Sequence, residues 1–175
     1  MQRLFAHLAN RIDALNDLIG RSVAWLTLLM VLVMFSVVVL RYVFNTGWIA
    51  MQESVTYMHA CVFLLGAAYT LRHEGHVRVD IFYRDGSPRF RALVDLLGSL
   101  VFLLPLSIYI FWVSWDYVAS SWSLLEGSRE AGGLPGVYLL KSTMIVMAAL
   151  ILLQGISTII KSVLSLASPA SKGNN

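Results

Sequence analysis

Charge is scarce in this sequence: Asp, Glu, Lys and Arg make up 13% of it, against 58% apolar residues. Soluble domains carry roughly 25% charged and 45–50% apolar residues, so a water-soluble globule of this composition is excluded. Cysteine is nearly absent. The lone Cys61 lies inside an apolar run, which rules out an intramolecular disulfide and a cysteine metal site. No phosphate-binding loop, nucleophile motif or paired catalytic carboxylate is present, so no enzyme chemistry is expected. His73-Glu74-Gly75-His76 superficially resembles a zinc motif, but its histidine spacing is too short and its glycine interrupts any helix. A cleaved signal peptide is not expected either, because the first apolar run is too long and no small-residue cleavage pattern follows it.

What the sequence does contain is four uncharged runs, Ser22 to Leu40, Ser54 to Leu71, Leu96 to Trp115 and Ser142 to Ile160, of 19, 18, 20 and 19 residues. A helix rises about 1.5 Å per residue, so roughly 20 residues cross a hydrocarbon core of about 30 Å. Each run fits one crossing. The expected fold is an all-α membrane protein of four transmembrane helices: residues 1–21 an amphipathic interfacial helix, 22–161 the transmembrane domain, 162–175 a polar tail.

Basic residues set the expected orientation. Arg3, Arg11 and Arg21, then Arg72, Arg78, Arg84, Arg89 and Arg91, then Lys161 and Lys172 place ten on one side; Arg41, Arg129 and Lys141 place three on the other. Both termini and the loop between spans two and three are therefore expected in the cytoplasm. The net charge of +3 follows from this asymmetry. It reads as topology and lipid contact rather than nucleic-acid binding.

Before the first span, Phe5, Leu8, Ile12, Leu15 and Ile19 recur at helical spacing, with Arg3, His7, Asn10 and Arg11 between them. That stripe suits a helix lying among lipid headgroups or one packed on another protein. At the far end of span one, Arg41, Tyr42, Phe44 and Trp48 form an interfacial belt around the turn Asn45-Thr46-Gly47. Arg41 and Glu53 reach the same membrane face and are placed to pair; two snorkelling side chains at the water surface is the other reading. Gly66-Ala67-Ala68 reads as a close helix contact. Ser87-Pro88 reads as an N-cap followed by proline at the first helical position. Pro105, mid-span, is expected to kink its helix or free a carbonyl. Beyond it, the outer loop holds Glu126, Arg129 and Glu130, and Pro135 is placed to open helix four. Lys141 either snorkels or takes Glu126, Glu130 or Asp116 as its partner.

Two membrane functions compete with a purely structural one. Haem needs two histidines at similar depth on facing helices. His59 and His73 lie about 21 Å apart along one helix and its trailing loop, so they cannot share an iron. A solute carrier acting alone would want a polar path and an acidic residue at mid-depth, and no span supplies one. Lipid-facing bulk, small-residue contacts and rim-confined charge suit an accessory subunit.

The order Arg41-Tyr42-Val43-Phe44-Asn45, Glu53, Leu65-Gly66-Ala67-Ala68, Arg72 and Gly75-His76-Val77-Arg78-Val79-Asp80, with Ser87-Pro88 after it, resembles the small (DctQ-type) membrane subunit of tripartite ATP-independent periplasmic (TRAP) transporters. One departure is that Met51-Gln52, not tryptophan, precede Glu53; the nearest tryptophan is Trp48. The resemblance implies a bacterial inner-membrane protein without cofactor, whose partners are a large permease subunit, a periplasmic substrate-binding protein and membrane lipids. It implies uptake of an organic acid driven by an ion gradient. In that frame Arg41, Glu53, Gly66, Ala67, Ala68 and Lys141 are candidate helix contacts. Arg72, His76, Arg78 and Asp80 are candidates for fixing the cytoplasmic loop. Glu126, Arg129 and Glu130 are candidates for docking the binding protein. The alternative reading is a membrane-anchor cytochrome b subunit of a respiratory complex.

Overall fold

The four apolar runs become four long helices. The computed structural model describes residues 2–75, 83 and 85–167. Helix α1 is Gln2–Val43, α2 is Ile49–Arg72, α3 is Pro88–Gly98, α4 is Leu104–Ser123 and α5 is Val137–Ala167. A π-helical turn, Ser99–Leu103, joins α3 to α4, so that Pro88–Ser123 is one membrane-crossing unit. All four units, α1, α2, α3–α4 and α5, are long and apolar enough to cross a membrane.

Helix α1 runs unbroken through 42 residues, about 63 Å, roughly twice the hydrocarbon thickness. The expected interfacial segment is therefore the first half of the same helix as span one. Its apolar stripe mostly faces outward, with Phe5, Leu8 and Leu15 exposed and only Ile12 buried. The inward face is Ala9, Ile12, Asp13, Asn16 and Gly20. At Gly20 any side chain would run into the Tyr69 ring of α2, so this glycine sets how closely the two helices cross.

Ser87 caps α3 as its sequence implies, its Oγ accepting from the Phe90 N–H at 3.2 Å, with Pro88 at the first helical position. The break expected at Pro105 takes the form of the π turn just before it. There the Leu104 N–H reaches back to the Ser99 carbonyl, five residues away, which absorbs the donor that proline lacks. Helix α5 runs past Lys161 to Ala167, so the start of the expected polar tail is helical; residues 168–175 lie outside the described ones.

Helix α5 is the hub. It packs against α1, α2, α3, the π turn and α4, whereas α4 meets neither α1 nor α2 among the described residues. The layout is a slab, with α1 and α2 on one flank of α5 and α3–α4 on the other. Burial follows the same plan: 28% of α5's most apolar stretch is buried, and none of α1's. Contacts inside the slab use small and hydroxyl side chains. Ser107, Ser114 and Ser121 of α4 recur every seven residues and are all buried, which gives the 3.5-residue period of a left-handed helix seam against α5. At Gly155 of α5 an added Cβ would meet Leu103 at 3.0 Å, so the π turn sits where α5 offers no side chain. Large side chains face outward, among them Trp25, Phe35, Phe63, Phe102 and Trp112. Between packed helices in lipid, apolar burial gains little over lipid contact, so close backbone approach decides the interface.

Candidate functional site

Among the described residues, the ion pairs lie at the two ends of the slab. At the end where α1 begins and α5 finishes, Asp13 is 4% exposed and stands at the meeting point of α1, α2 and α5. Its Oδ1 accepts from Ser157 Oγ at 2.6 Å and from Gln154 Nε2 at 3.2 Å. Its Oδ2 pairs with Lys161 Nζ and lies 3.5 Å from Arg72 Nε. Arg72 Nη1 donates to the Asp13 carbonyl at 2.7 Å and pairs with Asp17, whose other oxygen lies 3.0 Å from His73 Nε2. Asn16 Nδ2 donates to Gln154 Oε1 at 2.7 Å, so the network extends one helical turn deeper. A buried carboxylate is costly unless its lone pairs and charge are met, and here both are.

Arg72 was legible as a rim cation; its carboxylate partners were not. Asp13, Asn16, Asp17 and Gly20 fall at helical spacing on one face of α1, and Gln154, Ser157 and Lys161 on one face of α5. Those two matched polar stripes were the available signal. His76, Arg78 and Asp80 lie outside the described residues.

At the opposite end, Glu53 opens α2 but does not meet Arg41. Its Oε1 accepts from Ser128 Oγ and its Oε2 from the Leu134 N–H at 2.7 Å. Ser128 in turn receives the Glu130 N–H on its Oγ at 3.1 Å and sends its own N–H to the Leu134 carbonyl at 3.0 Å. Glu53 thus staples the 124–136 loop to the start of α2. A hydroxyl and a backbone N–H of that loop, held by the loop's own hydrogen bonds, take the carboxylate in place of a long arginine across the turn. Gly133 lies against this staple, where a Cβ would come 2.8 Å from Glu53 Oε2, and Gly132 turns the chain at φ +80°. Arg41 is exposed and lines a shallow depression with Tyr42, Asn45, Thr46, Gly47 and Gln52.

Lys141 finds Glu126, one of the three partners its position allowed, and sits 4.0 Å above the centre of the Tyr117 ring. Ser121 Oγ also donates to Glu126 at 2.6 Å. The Lys141 ammonium and the Ser121 hydroxyl hold the Glu126 carboxyl below its usual range. Glu126 is therefore a strut inside the molecule, whereas Arg129 and Glu130 are exposed on the same loop. Of the small-residue run, Ala68 is buried within the slab, while a Cβ added at Gly66 would meet nothing within 4 Å. His59 lies on the outer face of α2 and His73 is held by Asp17.

Among the described residues, the ion pairs sit at the rims of a helical slab whose four long units are apolar enough to cross a membrane. Residues 30–165 match the family described as tripartite ATP-independent periplasmic transporters, DctQ component. The chain belongs to that family. Subunits of that family are transporter components rather than enzymes, and the four apolar helices of this chain suit a place in a membrane. A curated relative, the C4-dicarboxylate TRAP transporter small permease protein DctQ of Vibrio cholerae serotype O1 (strain ATCC 39315 / El Tor Inaba N16961), is 27% identical over 116 residues. The match covers 66% of this chain and 48% of the relative, so the chain spans about half the length of the curated relative it matches. No solved structure matches the chain. Neither the family match nor the relative supports the cytochrome reading.

Proposed function

We propose that this chain is the small subunit that braces a large permease subunit, with both termini in the cytoplasm. The pair takes up an organic acid delivered by a periplasmic binding protein, driven by an ion gradient. The family match carries this reading. The architecture supports it, because an α5-centred slab with interlocked polar struts at both ends is built to stay rigid while another domain moves past it. The relative's C4-dicarboxylate name supports an acidic cargo.

The first half of α1, with Phe5, Leu8 and Leu15 turned outward, serves as the interfacial segment along the cytoplasmic headgroups. Exposed Arg129 and Glu130, on a loop stapled by Glu53 and Glu126, supply a preordered contact for the binding protein. Cells lacking this chain are expected to lose gradient-driven uptake of the organic acid and to regain it on complementation. Uptake unchanged by the deletion would overturn the reading.

A further inference from the structure

The two flanks of the slab differ in what they offer the lipid. On the α3–α4 flank the outward residues include Phe102, Leu106, Tyr109, Trp112 and Val113. These are large rings and aliphatic chains whose polar atoms are a phenol hydroxyl and an indole N–H, groups that lipid-facing helices commonly carry near the interface. On the α2 flank the exposed residues are Ile49, Gln52, Thr56, His59 and Phe63, spaced by three and four along one stripe. Three of the five are polar, and His59 falls near the middle of the 24-residue helix. None of those three side chains has a hydrogen-bond partner among the described residues. Half-buried Ser36 on α1 shows how a lone hydroxyl is commonly settled in lipid, by bonding back to the Leu32 carbonyl at 2.9 Å. Thr56 does not do so.

Beside the stripe, a groove lined by Met30, Val31, Met34 and Val55 runs between α1 and α2, with Thr56 and His59 on its wall. One step further along the stripe is Gly66, with open space where a side chain would stand. Hydrogen-bonding groups at mid-bilayer depth are expensive against acyl chains unless their own helix or another helix supplies partners, and here their own helix does not.

We propose that the Gln52–Thr56–His59–Phe63 stripe is the surface on which the large permease subunit docks, through a transmembrane helix that carries hydrogen-bonding side chains opposite Thr56 and His59. That helix lies in the α1–α2 groove and comes closest at Gly66. The placement rests on the permease pairing proposed above and says which flank makes it. The polar flank faces the partner and the aromatic α3–α4 flank faces lipid.

The test is photo-crosslinking of the complex in native membranes, with benzoylphenylalanine replacing in turn Thr56, His59, Phe63 and, for comparison, Phe102. The exchange at Phe63 keeps an aromatic ring, so one probe on the stripe leaves its packing intact. The expected result is an adduct with the mass of this chain plus the permease from positions 56, 59 and 63. If the permease co-purifies but these positions give no adduct with it, the placement is wrong while the pairing stands. Adducts between two copies of this chain from position 59 likewise overturn it. If the permease does not co-purify at all, both readings fall.

Discussion

Asp13 concentrates more of the fold's polar chemistry than any other residue, because two cations, a hydroxyl and an amide all close on it from α2 and α5. Removing the carboxylate leaves Lys161 without its counter-charge and the Gln154 Nε2 donor without an acceptor, while Arg72 keeps Asp17 and Ser157 keeps the Ala9 carbonyl. Asp13→Ala is therefore expected to destabilise the detergent-solubilised chain by about 3 kcal/mol, the scale for breaking a buried ion pair. Lys161→Ala is expected to cost about 1 kcal/mol or less, since that side chain is half exposed. Thermal unfolding of the two variants checks the order, and equal losses would contradict it. At the opposite end, Glu126 has a folded-state pKa depressed by Lys141 and Ser121. A depressed carboxyl contributes stability that is whole above its unfolded value of about 4.3 and vanishes as pH falls through the folded value. The melting-temperature gap between wild type and Glu126→Gln should thus be constant near neutrality and close on acidification below about pH 4. A gap that widens on acidification would reverse the assigned direction.

At the scale of elements, glycine and carboxylate positions decide how helices meet. Gly155 faces Leu103 at 3.0 Å across the α5–π turn contact, whereas Gly66 faces nothing in this chain. Gly155→Leu should separate α5 from the π turn and cost about 2 kcal/mol as an overpacked contact. Gly66→Ala in the isolated chain should be neutral or slightly stabilising, because alanine is the better helix former. The loop at 124–136 depends on Glu53, so Glu53→Ala should speed its limited proteolysis while Arg41→Ala leaves the rate unchanged. The four spans and the Ser87-Pro88 helix start were legible because each rests on residues close together in sequence. Lys141's pairing with Glu126 was legible as one of three options within reach. The Asp13 cluster joins residues up to 148 positions apart, and no local pattern says which stripe of α1 meets which stripe of α5. Glu53 shows the same limit: its nearest cation in sequence was Arg41, but the backbone of a loop some eighty residues away was better placed.

On the scale of the whole molecule, composition announced a membrane protein, and spacing announced four crossings. Neither announced that α5 would be the hub or that α4 would stand apart from α1 and α2, because that layout is set by where Ser107, Ser114, Ser121 and Gly155 allow close approach. A slab that turns Gln52, Thr56 and His59 of α2 outward is incomplete alone in lipid. That exposed polar stripe and membership of the DctQ family both favour association with a larger permease. The most direct measurement is the native mass of the complex purified in mild detergent through a tag on this chain. The expected mass is that of one copy of this chain with one copy of a large polytopic permease. Recovery of the chain alone, or only as a homo-oligomer, would contradict it.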